Sequence, residues 1–145
     1  ILVSDSYSEE INKNQSGTML LEDEIEISRG DLIANVEYYP RTSSVINCQV
    51  CWMSNEALVL DKKYLIKHSN KISKAIVTKI INKVDIESLK ETDSSNSLEM
   101  NDIGKVEIKI QNQIVNDSYE SNRNLGSLII IDIESNNTVG AGIIE

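Results

Sequence analysis

Two glycine-containing segments come closest to a nucleotide-binding motif, and neither has the spacing that the chemistry needs. A phosphate-binding loop requires an earlier glycine at a fixed spacing before its Gly-Lys pair and a hydroxyl residue after it, so that backbone amides surround the phosphates. The pair Gly104-Lys105 has neither. The segment Gly140-Ala141-Gly142 lacks the third glycine and the following helix of a dinucleotide-binding turn. We therefore expect no cofactor-binding residues in this chain.

Two cysteines and one histidine are the residues that could bind a metal or act as nucleophile and base. Cys48 and Cys51 have the spacing of half a zinc or redox motif, but no second pair accompanies them. Residues three apart on a strand face opposite sides, so we interpret both cysteines as structural thiols. His68 has no serine or cysteine that the sequence places beside it. We expect it to make structural hydrogen bonds at a strand end, and we keep it as a candidate site residue.

A polar pair, Asn122 and Arg123, precedes Gly126 and a long apolar run. An arginine at such a position can bind a carboxylate through two parallel hydrogen bonds. Two roles are equally open: the pair fixes the local turn to a neighbouring acid, or it contacts a partner at an interface. His68, Asn122, Arg123 and Gly126 are thus the candidate interface or structural residues, and no residue is a candidate for catalysis or for metal binding.

The charged residues are unevenly distributed between residues 62 and 102. Lys62 to Lys83 contains seven lysines and no acid, whereas Asp85 to Asp102 contains six acids and one lysine. The lysine run could dock an acidic partner or a nucleic acid, but the solvated outer face of strands explains it more simply. No aromatic residues alternate with the lysines beyond Tyr64, which argues against nucleic acid.

The overall composition restricts the class of protein. The 145 residues carry 14 basic and 23 acidic side chains, a formal net charge of −9, which disfavours binding to polyanions. Aromatic residues make up 4% and phenylalanine is absent, so the core must consist of isoleucine, valine and leucine, residues typical of strands. The sequence shows neither a signal peptide nor an apolar stretch long enough for a membrane-spanning helix. We expect a cytoplasmic protein with no membrane partner.

The pattern of residues 38–145 predicts six strands and no helix of ordinary length. The predicted strands cover residues 44–53, 63–68, 72–84, 104–115 with a break at Gln111–Gln113, 128–131, and the run that begins at Thr138. Residues 85–101 are predicted to form an exposed loop, with one helical turn at 98–102. Asn136-Asn137 favours a hairpin turn. Strands of this number and spacing are typical of a closed antiparallel barrel.

The first 37 residues predict less structure. Residues 1–3 are predicted to end a strand, and residues 18–21 and 30–36 to form two short ones. Tyr38-Tyr39-Pro40 marks a domain boundary, because proline holds the preceding residue in an extended conformation. We therefore predict two domains: residues 1–37, part of a small β-barrel, and residues 38–145, a six-stranded barrel.

Five segments of the chain carry a resemblance to a known family. They are residues 21–31, Trp52-Met-Ser-Asn-Glu56, Tyr64-Leu-Ile-Lys-His68, residues 101–106, and the run from Tyr119 through Asn122-Arg123 and Gly126-Ser127 to Thr138-Val-Gly-Ala-Gly142. In this order they resemble the C-terminal barrel region of the large, GTP-binding subunit of bacterial sulfate adenylyltransferase, within the elongation-factor-Tu-like GTPases. Two positions depart from the family pattern: Leu128 replaces a usual phenylalanine, and Ser69 replaces a glycine.

The resemblance implies both a fold and a role. The fold is all-β: a six-stranded Greek-key barrel of the elongation-factor domain III type, preceded by the remnant of the middle barrel. The parent enzyme makes adenosine 5′-phosphosulfate and pyrophosphate from ATP and sulfate, with GTP and Mg²⁺ bound in an N-terminal domain that this chain lacks. The chain itself is then a catalytically inert fragment without a cofactor. Its partners are the GTPase domain of the same polypeptide and the small catalytic subunit, and it relays the nucleotide state between them.

The sequence is also compatible with two other classes of function. One is the tRNA-binding barrel region of a translation GTPase, against which the negative charge argues. The other is a free-standing β-barrel interaction module with no enzyme parent.

Overall fold

A computed structural model describes residues 2–3, 6–7, 9–12, 14–85, 91–93 and 97–145. The described chain divides into two compact units, residues Ile1–Asp31 and Leu32–Glu145. The predicted boundary at residues 37/38 stays a prediction. In the described part of the chain, no helix is long and apolar enough to cross a membrane.

The first unit contains little regular structure. Its strands are β1 (Leu2–Val3) and β2 (Ser6–Tyr7), which pair antiparallel. The predicted strands at residues 18–21 and 30–36 are wrong, since no described residue between 14 and 40 belongs to a strand. Apolar side chains in both segments are exposed, Leu20 by 55% and Ile33 by 60%. Thr18 forms a single isolated β-bridge, but a strand needs a continuous partner for its backbone groups, and none of the described strands pairs with these segments.

The second unit is a closed β-barrel, as predicted. Its strands are β3 (Arg41–Trp52), β4 (Lys63–His68), β5 (Lys71–Val84), β7 (Ile103–Asn116), β8 (Ser127–Asp132) and β9 (Thr138–Ile144), and a short β6 (Glu91–Asp93) pairs antiparallel with the end of β5. The sheet runs β4-β8-β9-β3-β7-β5, and β5 pairs again with β4, which closes the ring. All of these pairings are antiparallel, so no barrel strand is left with a free edge.

Alternation of side chains fills the barrel interior. Inward side chains of β3, namely Ile46, Cys48, Val50 and Trp52, are at most 4% exposed. On β7, Val106, Ile108 and Ile110 also point into the barrel, whereas Lys105, Glu107 and Lys109 point outward. Both sets match the period of two in the sequence.

Gly140 and Gly142 lie on the inner face of β9 and leave room for neighbouring side chains. A Cβ at Gly140 would lie 3.2 Å from the Trp52 ring, and one at Gly142 would lie 3.2 Å from Val50 Cγ2. The side chains of β3 therefore pack into space that any larger residue on β9 would fill.

Three local expectations need correction. The polar triplet Gln111–Gln113 does not break β7, because its exposed side chains are accommodated where the register against β3 shifts. The stretch at 85–101 is not a continuous exposed loop: Glu91–Asp93 pairs with β5, and Leu98 is fully buried. The predicted helical turn at 98–102 is a tight turn, in which Asp102 N–H donates to Glu99 C=O at 3.0 Å. Residues 86–90 and 94–96 of this stretch lie outside the described residues.

Candidate functional site

The loop between β7 and β8, residues 117–126, brings the predicted site residues together. His68, the last residue of β4, is 3% exposed, and its Nε2 lies 2.9 Å from the Leu125 carbonyl oxygen. Asn122 Oδ1 accepts hydrogen bonds from the N–H groups of Asn124 at 3.1 Å and Leu125 at 3.3 Å. Two of the four predicted residues therefore hold Leu125 in place, one through each of its backbone polar groups.

Gly126 allows the loop to fold back on itself. A Cβ at this position would overlap the backbone N and Cα of Tyr119 and lie 2.8 Å from the Ser118 carbonyl carbon. The same turn is bonded to the end of the chain: Ile144 N–H donates to Gly126 C=O at 2.7 Å, and Tyr119 N–H donates to Ile144 C=O at 2.9 Å. Only a residue without a side chain permits this backbone approach.

Arg123 points away from this bonded core. The side chain is exposed, and its guanidinium carbon lies 5.8 Å from the centre of the Tyr119 ring, within the range of a cation–π contact. Among the described residues, no carboxylate forms an ion pair with Arg123. The sequence left two roles open, and the local geometry does not show the bond to a neighbouring acid that one of them requires.

An open groove of about 1060 Å³ lies beside the loop, on the outer face of β4, β8, β9 and β3. Arg123 and Tyr119 line it from the loop, and Lys67 lines it from β4. Its floor includes the outward side chains Ile129, Ala141 and Ile143. We call this surface the cationic groove.

A second cleft, of about 600 Å³, is lined by residues from the ends of β3 and β8. Within it, Lys62 Nζ and Asp132 Oδ2 form an ion pair at 2.8 Å. Asp132 also accepts hydrogen bonds from the N–H groups of Glu134 at 3.0 Å and Ser135 at 2.8 Å. The Lys62 ammonium, followed by the Ser135 N–H, holds the pKa of the Asp132 carboxyl well below its usual range.

Asp132 stabilises the β8–β9 turn through both its carboxylate and its backbone carbonyl oxygen. Asn136, at a φ of 57°, occupies the left-handed conformation predicted for the Asn-Asn pair, and its N–H donates to Asp132 C=O at 2.9 Å. The hydrogen bond to Asp132 raises the pKa of the Lys62 ammonium above its usual value. The pair thus ties the segment before β4 to the end of β8.

The cysteines do not form a reactive site. Cys48 lies inside the barrel and Cys51 on the outer face, as the strand spacing predicts. Burial raises the pKa of the Cys48 thiol to about 12, which keeps it protonated and poorly nucleophilic at neutral pH. Among the described residues, no three His, Cys, Asp or Glu side chains are grouped so that they could hold a metal ion.

Sequence reasoning missed two of these contacts. It did not single out Asp132, although an acid at the end of an apolar strand and before a polar turn is a recognisable turn-capping signal. It also missed the hydrogen bond from Tyr38 Oη to Asp117 Oδ2, which joins residues far apart in the sequence. No local pattern in the sequence indicates that pair.

Comparisons with known proteins agree with this architecture. A family model described as GTP-eEF1A C-terminal domain-like matches residues 45–145. Among solved structures, sup35 complexed with GDP superposes with a TM-score of 0.67 at 12% identity, covering 75% of this chain and 26% of that chain. The GTP-bound Ski7 GTPase-like domain of S. cerevisiae gives a TM-score of 0.59 at 13% identity, covering 90% and 27%. At such identities these likenesses show the fold.

Curated relatives are more similar in sequence. "Sulfate adenylyltransferase subunit 1" of Alteromonas mediterranea is 41% identical over 130 residues, which cover 90% of this chain and 27% of that protein. The protein of the same name from Shewanella woodyi is 38% identical over 145 residues, covering 100% and 31%. "Bifunctional enzyme CysN/CysC" of Rhodopirellula baltica is 39% identical over 127 residues, covering 88% and 20%.

These matches confirm the resemblance that the five sequence segments indicated. The chain spans less than a third of the length of these curated relatives. The family model covers the whole closed barrel from β3 onward, apart from its first residues. The chain therefore belongs to the GTP-eEF1A C-terminal domain-like family.

Proposed function

We propose that this chain is the C-terminal barrel region of a GTP-dependent sulfate adenylyltransferase large subunit and that it serves packing and not catalysis. The observation that carries the proposal is the 41% identity, over 90% of the chain, to a protein named sulfate adenylyltransferase subunit 1. In this role the barrel belongs to an enzyme that forms adenosine 5′-phosphosulfate and pyrophosphate from ATP and sulfate.

The proposal assigns nucleotide chemistry to a separate GTPase domain of the same polypeptide. The chain's Gly104-Lys105 pair lies in β7, paired with β3 and β5, and the Lys105 N–H donates to Asn82 Oδ1 at 3.1 Å. A phosphate-binding loop instead needs several free amides that converge on one anion. GTP and Mg²⁺ would accordingly bind outside this barrel.

The barrel's contribution is mechanical. A closed ring of paired strands moves as one body, so it can transmit a displacement between a GTPase domain and a small catalytic subunit without deforming. Tyr38, which lies just before β3, is hydrogen-bonded to Asp117 in the β7–β8 loop. This contact supports the proposal, since it couples the direction in which the chain enters the barrel to the loop beside the cationic groove.

Capture of the partners tests the proposal. The chain is immobilised and incubated with the small catalytic subunit of a sulfate adenylyltransferase and with the GTPase domain of a large subunit, each expressed separately. We expect retention of at least one of them, with no retention of tRNA. Retention of tRNA together with failure to hold either protein would overturn the assignment and favour a translation GTPase.

Titration with a fluorescent mant-GTP analogue tests whether nucleotide binding belongs to a separate GTPase domain and not to this barrel. We expect no saturable binding to this chain alone, because its sequence contains no phosphate loop. The same titration of a full-length sulfate adenylyltransferase subunit 1, such as the Alteromonas mediterranea relative, is the matched control and is expected to saturate. Saturable micromolar binding to this chain would contradict the proposal.

A further inference from the structure

We propose that the cationic groove is a docking site for an extended, acidic segment of a partner protein, whose carboxylates contact Lys67 and Arg123 and whose aliphatic side chains lie on the sheet. This inference goes beyond the proposed function and does not depend on it. It rests on the charge of the groove, on its floor and on the way its strands are paired.

The floor of the groove is a continuous row of outward side chains across neighbouring strands. Lys67 is paired with Ile129, Ile129 with Ala141, and Ala141 with Cys51. The next row contains Ile143, which is 38% exposed. Ile129 and Ala141 are half-buried, so aliphatic side chains of a ligand would gain by burying the apolar surface that this row still exposes.

The charge of the groove is opposite to that of the molecule. The chain carries 23 acidic against 14 basic residues, yet the described residues that line the groove include Lys67 and Arg123 and no aspartate or glutamate. The second cleft differs, since Glu56, Asp132 and Glu134 all line it. In an acidic protein, a groove lined by two cations and, among the described residues, by no acid favours an anionic ligand.

The strand pairing determines how a ligand can be recognised. β8 is paired with β4 and β9, and β9 is paired with β8 and β3, so the floor offers no free backbone edge. A partner segment therefore cannot extend the sheet and must be bound through its side chains. A segment in which carboxylate and aliphatic residues lie two positions apart presents both on one face of an extended chain, where this surface can accept them.

The same features favour a polypeptide over a nucleic acid. Single strands bind sheets through aromatic side chains on which bases stack. The aromatic side chain that lines this groove within the described residues is Tyr119, and the Arg123 guanidinium already lies over its ring. The floor is aliphatic, which suits aliphatic side chains.

Fluorescence anisotropy with short labelled peptides tests the docking site. The probe is a peptide of the pattern Glu-Ser-Ile-Ser-Glu-Ser-Val, in which glutamate and aliphatic residues share one face of an extended chain. One control peptide has lysine in place of glutamate, and another has serine in place of the aliphatic residues. We expect the first peptide to bind with an affinity that falls as salt is raised, and both controls to bind at least about tenfold more weakly, the equivalent of about one good contact.

Charge-reversal variants inside and outside the groove test whether the peptide binds at the cationic groove. Arg123→Glu and Lys67→Glu are each expected to weaken the peptide about tenfold, whereas Lys109→Glu, on the exposed face of β7 outside the groove, should leave binding unchanged. All three side chains are exposed, so circular dichroism should show the same folded barrel. Equal weakening by all three variants, absence of peptide binding, or tighter binding of a single-stranded oligonucleotide would each overturn the proposal.

Discussion

At the scale of single residues, Leu125 is the point at which the loop is fastened to the barrel. Its carbonyl oxygen bonds to His68 at the end of β4, and its N–H bonds to the Asn122 side chain. A second bond from the Asp117 N–H, at 3.2 Å, reaches the same carbonyl. A buried backbone group without a hydrogen-bond partner destabilises the fold. The polar residues His68 and Asn122 are therefore needed beside Leu125, because they supply partners for its buried backbone N–H and C=O.

Gly126 gives the most direct test of this loop. We expect Gly126→Ala to destabilise the fold by about 1–3 kcal/mol, because the added Cβ forces the backbone at Tyr119 to move. Asn124→Ala, an exposed change in the same loop, should stay within about 0.5 kcal/mol of the parent. Urea unfolding followed by the fluorescence of Trp52 measures both. Equal stability of the two variants would show that the loop relaxes without cost.

Ser69 is a residue whose backbone conformation suits glycine better. It has a φ of 51° at the first central position of the two-residue β4–β5 turn, between His68 and Lys71. Glycine is favoured there, and a non-glycine residue in the left-handed region costs about 1–2 kcal/mol. We expect Ser69→Gly to stabilise the protein by up to about 1 kcal/mol after the greater freedom of the unfolded chain is subtracted.

The control for this change is Asn70→Gly. Asn70 follows in the same turn without a positive φ, so glycine should bring no relief there and only a small loss. Thermal unfolding of both variants separates the two effects. A lower midpoint for Ser69→Gly would contradict the assignment of the left-handed conformation to this residue.

Asp132 predicts a pH dependence with a definite sign. Its folded-state pKa lies below the unfolded value, so the carboxylate stabilises the fold above the ordinary aspartate pKa of about 3.9. That contribution is lost as the pH falls toward the folded-state pKa. We expect Asp132→Asn to be less stable than the parent at pH 7, because Lys62 loses its ion pair, with a difference that narrows at pH 3 and below.

Urea unfolding midpoints of parent and variant at the two pH values measure this narrowing. Glu120→Gln removes an exposed carboxylate from the β7–β8 loop and carries the same change of charge, so it should differ little from the parent at either pH. A difference for Asp132→Asn that stays constant between pH 7 and pH 3 would show that the ion pair contributes nothing to stability.

At the scale of the strands, alternation along the chain was sufficient to predict the barrel. The inward sets of β3 and β7 follow from a period of two, and β4 has the bounds predicted for it. Gln111–Gln113 was misread because polarity alone does not distinguish a break from a register shift that keeps the strand paired. Residues 18–21 and 30–36 were misread because their apolar pattern says nothing about whether a partner strand is present.

Leu98 shows how a polar stretch can still contribute to the core. It is fully buried, its C=O accepts the Leu58 N–H at 2.9 Å, and its side chain would lie 2.7 Å from a Cβ placed on Gly104. We expect Leu98→Ala to cost about 2–5 kcal/mol, because the removed atoms leave a cavity in the barrel core. Met100→Ala, two residues on and 48% exposed, is the control and should cost far less.

The same unfolding assay measures both variants. The residues on either side of Leu98 are polar, so the burial of this one side chain could not be read from the composition of its segment. A cost for Leu98→Ala no larger than that for Met100→Ala would mean that the Leu98 side chain contributes nothing to the barrel core.

At the scale of the whole molecule, the sequence predicted the barrel more completely than it predicted the candidate site. The four candidate residues were named from their types and from a family resemblance, and three of them converge around Leu125. The cationic groove could not be predicted, because Lys67, Arg123 and Ile129 meet only when β4 and β8 pair. Contacts between residues distant in the chain depend on this pairing, which local patterns do not specify.

The distribution of the core predicts that the barrel is an independent folding unit. Among the described residues, those of the buried hydrophobic cluster lie between Ile46 and Ile144, and the second compact unit begins at Leu32. We expect a truncated chain of residues 32–145 to unfold cooperatively with a urea midpoint close to that of the full chain, since the truncation removes no member of this cluster. The retained Tyr38 keeps its bond to Asp117.

Tyr38→Phe in the truncated chain then measures how much the Tyr38–Asp117 hydrogen bond adds to the stability that the core provides. It removes one exposed hydrogen bond and should lower stability by no more than about 1 kcal/mol. Trp52 lies in the barrel and reports unfolding of both chains by fluorescence. If truncation alone broadened the transition or shifted it to much lower urea, residues before Leu32 would have to stabilise the barrel through contacts outside its core, and the barrel could no longer be treated as the rigid body that the proposed packing role requires.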